Sequence, residues 1–370
     1  GLGDVYKRQR QGFDAVQVLV GIPPELGPEH PEAASEAGTA WNLRAEPNPA
    51  YLSLARDRLE LLLEAGLRPI VYGGWGQQVD WIGAAGMQRW WTEIARALAD
   101  LDLLYCLCGE VDLHCEAPRA LLPGRSSTEL LASSTGPTLL DRAVRRATRT
   151  VFPHKSTEAL LARRVETWRR VLRHARTELG QPLLVHTTGM TTAFELFGDD
   201  PDLLTNATQT GHDYSARTLL YERPRQHARS FPDRPFMNLE PWYEGIRDSF
   251  GESAQLFAFW ASRLAGSSGH VYGAQGVWNL GDGEFLGHWG GQTLEQAAGL
   301  STPAELGRLH RWFMDHRVYE LPSFVRRDPD GRALHLGRGD ERRSVELCLD
   351  KEQEPGASPP RLRVLGLPAP

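Results

Sequence analysis

Two glutamates, Glu110 and Glu240, each end a run of residues that has the pattern of a buried strand. Glu240 closes the run PFMNLE and is followed by Pro241, which has no N–H to donate to a sheet ladder, so the strand is expected to end there. Glu110 closes the run LLYCLCGE. In a β/α barrel the carboxyl ends of all strands face one bowl, where catalytic residues lie. Since glycoside hydrolysis requires two carboxylates across the scissile bond, the pair predicts this reaction.

Other polar and aromatic residues follow the ends of the predicted strands. A lone glutamate at a strand end is more often a partner in a salt bridge, but two of them beside aromatic rings favour a site that binds sugars. Asp112 and Glu244 are competing carboxylates, which would replace a member of the pair or bind sugar hydroxyls. The residues predicted to bind substrate are Trp75, Asp112, His186, Gln209, His212, Tyr243, Glu244, Tyr272 and Trp278.

Two other interpretations of these residues stay open. His186 and His212 end predicted strands and would suit a metal-dependent barrel hydrolase, although the last predicted strand offers no acidic ligand. A non-catalytic barrel that binds carbohydrate is the other alternative. Four possible metal ligands lie near Glu110 in the sequence: Cys106, Cys108, His114 and Cys115. Their spacing matches no common zinc site. We therefore expect neither a metal nor a cofactor.

The elements that position these residues alternate between strands and helices. The patterns predict seven strands, near residues 18, 71, 105, 185, 206, 237 and 271. Helices are predicted over Tyr51–Ala65, Gly86–Asp100, Thr157–Leu179 and Glu252–Ala265. This order indicates a parallel α/β fold, and the number of strands favours a (β/α)8 TIM barrel that lacks its first strand. An open doubly wound sheet is the alternative, but no glycine-rich phosphate loop follows an early strand.

Composition shifts along the chain predict its domain boundaries. Residues 1–9 include DVYKRQ, which resembles the translation of a sequencing adapter, so we expect this stretch to be an artefact. Residues 10–316 form the predicted barrel, interrupted at 117–153 by an insertion rich in Pro, Gly, Ser and Thr. Residues 317–370 are predicted to hold a hairpin of a partial β module and, from residue 351, a loose tail.

Charge and composition exclude several classes of partner. The formal net charge of −6 over 370 residues argues against a protein that binds nucleic acid. The sequence contains no run of 18 or more apolar residues, so it predicts no membrane-spanning helix. The helix predicted at Thr157–Leu179 has six arginines on one side, with Glu158 and Glu166 interspersed, which is typical of a solvated outer face. The expected partner is a carbohydrate; the sequence indicates neither the compartment nor the oligomeric state.

Several ordered motifs resemble those of a known family. From Gly12 to Phe313 the chain contains, in this order, GFDAVQVLV, WTEIARAL, CLCGEVDL, HTTG, QTGHDY, NLEPWYEGI and SGHVYGAQGVWN. Together they resemble the apiosidase-like glycoside hydrolases, which are (β/α)8 barrels. Two departures from the family pattern are Leu239, where glycine is usual, and CGE in place of GG[DE].

The resemblance implies a catalytic pair on the two glutamates already selected. For this pair our hypothesis is that Glu110 is the general acid/base and Glu240 the nucleophile of a retaining reaction. The resemblance also implies that six of the predicted substrate-binding residues line the sugar pocket: His186, Gln209, His212, Tyr243, Glu244 and Tyr272.

Overall fold

The structure is a computed structural model that describes residues 2–24, 26–113, 157–279, 287–328, 333–350 and 360–370. The predicted insertion at 117–153 lies outside these residues, and so do His114 and Cys115. The chain divides into two units, residues 15–204 and residues 1–14 together with 205–370.

Helices and strands alternate along most of the described chain. In chain order the helices are α1 (Leu2–Arg10), α2 (Pro49–Glu64), α3 (Gln78–Leu98), α4 (Thr157–Leu179), α5 (Ala193–Phe197), α6 (Leu219–Ser230), α7 (Glu252–Ala265), α8 (Gln275–Trp278), α9 (Leu294–Ala298) and α10 (Thr302–Asp315). The strands are β1 (Ala15–Leu19), β2 (Arg68–Tyr72), β3 (Leu104–Cys106), β4 (Asn206–Gln209), β5 (Phe236–Glu240), β6 (Tyr243–Glu244), β7 (Gly273–Ala274), β8 (Ser323–Arg327), β9 (Ala333–Gly339), β10 (Ser344–Asp350) and β11 (Arg361–Leu365). None of the described helices is long and apolar enough to cross a membrane.

The pairings among β1 to β7 are parallel, which gives a mixed α/β architecture as the sequence predicts. In residues 15–204 the sheet order is β1-β2-β3, so strands that follow one another along the chain are neighbours. The next expected strand, near residue 185, is present only as isolated bridges, of which one joins Cys106 to Leu184. Backbone bonds extend this pairing, since His186 N donates to Cys108 O at 3.2 Å.

Local sequence accounts for the bounds of several helices. The Asn48 side chain caps α2 by accepting from Ala50 N, Pro49 occupies the first turn, and Gly66 with φ +79° follows its end. The predicted bounds of α4 and α7 agree with the structure. In contrast, α3 begins at Gln78, well before the predicted Gly86, and is interrupted at Gly83, where φ is +67°.

The prediction that the arginines of α4 lie on a solvated face is wrong for one of them. Arg164 is buried, with 5% of its side chain exposed, and it pairs with Asp80 of α3. The apolar side of α4, which includes Trp168 and Leu172, is buried as expected.

The second unit contains two short parallel pairs, β4-β5 and β6-β7. The strand predicted near residue 271 is only two residues long, and the chain turns into α8 directly afterwards. Gly273 lies so close to the Tyr243 ring that a Cβ there would be 2.3 Å from a ring carbon. This crowding requires glycine at the pairing of β6 with β7.

Residues 323–365 form a four-stranded antiparallel sheet in the order β11-β10-β9-β8. The hairpin of β8 and β9 is the one expected from sequence. Residues 361–365, which composition assigned to a loose tail, instead form the strand β11 against β10. Leu336, Val345 and Leu347 of this sheet share one buried cluster with Trp260 and Phe313 of α7 and α10. The tail residues pair because β10 offers them a free edge, which composition cannot reveal.

The N-terminal helix α1 also packs within this unit. Lys7 Nζ donates to Ala298 O at 2.5 Å, at the end of α9. The assignment of residues 1–9 to an artefact stays a prediction.

Candidate active site

Glu110 lies just beyond β3, and its carboxylate is held by an indole. Trp75 Nε1 donates to Glu110 Oε2 at 2.9 Å. Trp75 lies beyond the end of β2 and forms a parallel bridge with Gly109. A Cβ on Gly109 would be 2.6 Å from the indole, so glycine is required for the ring to lie against this backbone. Glu110 itself has φ +41°, an uncommon conformation for a residue with a side chain, which costs roughly 1–3 kcal/mol.

Aromatic rings pack around the indole that binds this carboxylate. Trp75 is 9% exposed and stacks on Tyr72, with ring centroids 6.0 Å apart. His186 is 1% exposed and presents its ring edge-on to Tyr72 at 5.9 Å. The structure therefore places the Trp75 indole in contact with both Glu110 and His186. The roles of these three residues stay predictions.

Asp112, a predicted substrate-binding residue, is bound to a neighbouring loop. Its Oδ1 accepts from Thr188 N at 2.7 Å, and its Oδ2 accepts from the hydroxyls of Thr188 and Thr191, each at 2.7 Å. These bonds anchor the segment that follows His186.

The cysteines beside this half of the site are buried thiols. Burial raises the pKa of both Cys106 and Cys108 well above the ordinary thiol value, so both stay protonated at neutral pH. Within the described ranges, no three His, Cys, Asp or Glu side chains form a group that could hold a metal ion.

Glu240 is the last residue of β5, and a histidine binds its carboxylate. His212 Nε2 lies 2.8 Å from Glu240 Oε1, while His212 Nδ1 accepts from Tyr243 N at 3.4 Å. Because Nδ1 is the acceptor, the hydrogen of the neutral ring must be on Nε2, which donates to the carboxylate. Both side chains are largely buried, with 12% of Glu240 and 11% of His212 exposed. Gln209, buried on β4, is the register partner of Glu240.

A chain of aromatic rings, here called the aromatic wall, leads away from Glu240. The distances between neighbouring ring centroids are 4.5 Å for His212 and Tyr243, 6.1 Å for Tyr243 and Trp278, and 6.5 Å for Trp278 and Trp289. The guanidinium of Arg247 lies over Trp289 at 4.5 Å. The first three residues of the wall are among those predicted from sequence, whereas Trp289 and Arg247 are not. Neither follows a predicted strand, so only long-range packing reveals them.

Glu244 and Tyr272 form a separate buried cluster. The Tyr272 hydroxyl donates to Glu244 Oε2 at 2.7 Å, and Thr302 Oγ1 donates to Glu244 Oε1 at 2.8 Å. Burial raises the pKa of Glu244, partly offset by these two bonds. Burial and the nearby carboxylate raise the pKa of Tyr272. Both oxygens of Glu244 therefore already have donors, and the Tyr272 hydroxyl is directed at Glu244.

Comparison with known proteins identifies the fold and the family. Residues 5–297 match the model of the family described as "Apiosidase-like, catalytic domain". A glycoside hydrolase family 5 structure from Bacteroides vulgatus is similar, with 15% identity, a TM-score of 0.64, and coverage of 94% of this chain and 72% of that one. An exo-β-1,4-mannosidase from Opitutaceae bacterium strain TAV5 has 16% identity, a TM-score of 0.51, and coverage of 84% and 55%. No curated protein sequence matches at a significant level.

The chain spans just over half the length of the mannosidase that it matches. Family 5 glycoside hydrolases are (β/α)8 barrels, so the structural likeness agrees with the predicted class of fold. The family match covers most of the chain, including the two glutamates and the aromatic wall. The chain therefore belongs to the apiosidase-like family of glycoside hydrolases.

Proposed function

We propose that this protein hydrolyses an O-glycosidic bond of a complex carbohydrate with retention, using Glu110 as general acid/base and Glu240 as nucleophile. The observation that carries the proposal is that each carboxylate follows a parallel strand and accepts a hydrogen bond from a side-chain N–H. Trp75 donates to Glu110 at 2.9 Å and His212 donates to Glu240 at 2.8 Å. Such donors fix the direction of a carboxylate, which reaction at one sugar carbon requires.

In the first step, the Glu110 carboxyl gives its proton to the glycosidic oxygen while the bond from that oxygen to the anomeric carbon breaks. The Glu240 carboxylate attacks the same carbon and forms a glycosyl ester. In the second step, the Glu110 carboxylate removes a proton from a water molecule, whose oxygen attacks the anomeric carbon and releases Glu240. Two inversions give net retention, and the enzyme returns to its starting protonation.

The other predicted site residues take different roles in this proposal. Trp278 and Trp289 of the aromatic wall offer ring faces to a sugar next to Glu240. Tyr243, which is 8% exposed, supports the wall by packing against His212. Trp75 orients Glu110 through its N–H, since the indole is largely buried and has little exposed face. Asp112 supports the loop after His186 because three hydrogen bonds already occupy its carboxylate. Gln209 is the register partner of Glu240 and helps to align it.

We also propose that residues 10–316 form the barrel domain and that residues 317–370 form part of a β module. The antiparallel pairing of β8 to β11 supports the second assignment. The lack of a first barrel strand stays a prediction from the number of strands.

The test begins with a screen of aryl glycosides and plant-polysaccharide fragments. Apiosides enter the panel because of the family, and β-mannosides because a structural neighbour is named as a mannosidase. Proton NMR of the first-formed product then distinguishes retention from inversion. A retained anomer is expected, whereas an inverted anomer would contradict the nucleophile role of Glu240 and require carboxyls about 6.5–9.5 Å apart.

Azide assigns the two roles separately. With Glu110→Gln and an activated substrate, azide should attack the glycosyl ester and give a glycosyl azide of retained configuration. With Glu240→Gly, azide should attack the substrate directly and give the inverted azide. The opposite pattern would exchange the two roles.

The metal-dependent alternative receives less support from the geometry. Both ring nitrogens of His212 are engaged, one by Glu240 and one by Tyr243 N. Turnover that falls on addition of a chelator and returns with zinc would restore that alternative.

A further inference from the structure

The turn that carries Glu110 is held from α4 by two side chains. Arg164 and Trp168 are buried and lie one helical turn apart, so they share a face of α4. Trp168 Nε1 donates to Gly76 O at 2.9 Å. Arg164 Nη1 donates to Val111 O at 3.4 Å and also to Leu113 O. The helix thus binds the backbone directly after Trp75 and directly after Glu110.

These two backbone segments are also tied to each other. Gly76 N donates to Gly109 O at 2.7 Å, and Gly109 N donates to Gly74 O at 3.0 Å. Leu113 N donates to Glu110 O at 2.9 Å and closes the turn in which Glu110 has its positive φ. A shift of either segment would therefore change the contact between the Trp75 indole and the Glu110 carboxylate.

Arg164 is itself fixed by a carboxylate on another helix. Its Nε donates to Asp80 Oδ2 at 2.9 Å, and its Nη2 binds the same oxygen. Asp80 is in the first turn of α3, so Arg164 links α3, α4 and the Glu110 turn. The planar guanidinium presents donors in fixed directions, which the single ammonium of lysine cannot reproduce.

We propose that Arg164, assisted by Trp168, is a positioning residue that sets the orientation of the Glu110 carboxyl by holding the turn at Val111 and Leu113. Arg164 acts through the backbone and does not touch the substrate. The proposal rests on the assignment of Glu110 as the general acid/base.

The kinetic test compares Arg164→Met with Arg169→Met, using 2,4-dinitrophenyl and phenyl glycosides of one sugar. Arg169 is a matched control because it lies on the same helix and donates to a different backbone carbonyl, that of Leu196, at 2.6 Å. A misplaced acid should lower kcat/KM, which reports the first chemical step, by about 100-fold on the phenyl glycoside. Dinitrophenolate leaves without protonation, so kcat/KM of the dinitrophenyl glycoside should fall less than about threefold. Arg169→Met should leave both rates within about twofold of wild type.

Equal losses on the two substrates, or the same pattern in Arg169→Met, would overturn the proposal. Glu110→Gln serves as the reference in the same assay. If it shows no dependence on the leaving group, the proposed function of Glu110 fails, and that result is distinct from failure of Arg164 alone.

A second measurement needs no substrate. The indole N–H resonance of Trp75, assigned by its loss in Trp75→Phe, reports the hydrogen bond to Glu110. It should shift in Arg164→Met and stay in place in Arg169→Met; an unchanged resonance in Arg164→Met would contradict the proposal. If that variant does not fold, Arg164→Lys and Trp168→Phe provide the same readout, and both should move the Trp75 resonance.

Discussion

The two proposed catalytic carboxylates are held in different ways. Glu240 is the last residue of a five-residue strand, and the sheet itself fixes its backbone. Glu110 lies four residues beyond a three-residue strand, on a turn with φ +41° that side chains of α3 and α4 support. The side chains that donate to the two carboxylates differ as well. His212, beside Glu240, is hydrogen-bonded through both ring nitrogens, whereas the Trp75 indole, beside Glu110, has a single N–H.

This difference predicts different sensitivities to mutation. A carboxylate on a strand depends on its partner side chain, because the sheet keeps its backbone in place. A carboxylate on a supported turn depends also on residues that never approach the substrate, such as Arg164. Variants at the two carboxylates and at their supporting residues should therefore differ in effect.

Glu240→Gln should have the largest effect, because it removes the proposed nucleophile. We expect kcat to fall on every substrate, by more than the about 10²–10⁴-fold that acid–base catalysis contributes. Thermal unfolding should be close to that of wild type. Glu295→Gln, at an exposed position of α9, is the control. Substantial activity in Glu240→Gln would move the nucleophile role to Glu244.

Replacing each donor by phenylalanine compares the two halves directly. His212→Phe removes a hydrogen bond to the charged Glu240, worth about 1.5–3 kcal/mol, whereas Trp75→Phe removes one to the protonated Glu110, worth about 0.5–1.5 kcal/mol. We therefore expect kcat/KM to fall by roughly 10- to 150-fold in His212→Phe and by roughly 2- to 10-fold in Trp75→Phe. The loss should be greater for His212→Phe, since that variant also removes the acceptor for Tyr243 N. A greater loss for Trp75→Phe would mean that Glu110 depends more on its donor side chain than Glu240 does, contrary to this expectation.

The aromatic wall predicts a binding effect on the Glu240 side. Trp289→Ala should raise KM by up to about tenfold, since an aromatic contact contributes about 0.5–1.5 kcal/mol. The value of kcat should change little. Trp81→Ala is a suitable control because Trp81 is 38% exposed and lies in the other unit. An unchanged KM in Trp289→Ala would remove Trp289 from the substrate site.

Glu244 predicts a small effect on the pH dependence of stability. Burial raises its pKa above the ordinary value of 4.5, so the folded state binds the proton more tightly than the unfolded state. The resulting stabilisation is complete below that ordinary value and is lost as pH rises through the raised pKa. Glu244→Gln should flatten this decline, by about 1 kcal/mol or less, in denaturant unfolding from about pH 4 to about pH 8. If the free energy of unfolding has the same slope against pH in wild type and Glu244→Gln, the raised pKa of Glu244 does not contribute to the decline.

Local sequence determined much of the framework. Capping by Asn48 and periodic apolar residues define α2, α4 and α7, because these signals act within a few residues of one another. The positions of Glu110 and Glu240 after strands could likewise be predicted, as could the hairpin of β8 and β9. Family resemblance then favoured these two glutamates over Asp112 and Glu244 as the catalytic pair, a choice that the residue pattern alone left open.

The tertiary structure decided what each side chain contacts. Arg164 has the charge of a solvent-exposed residue but is buried, because Asp80 and two backbone carbonyls of distant segments receive its donors. Trp289 joins the aromatic wall and residues 361–365 become a strand for the same reason. In each case the partner lies far away in sequence or outside any local pattern, so periodicity carries no information about it. Hydrogen bonds and ring contacts of this kind form only when the folded chain brings the partners together.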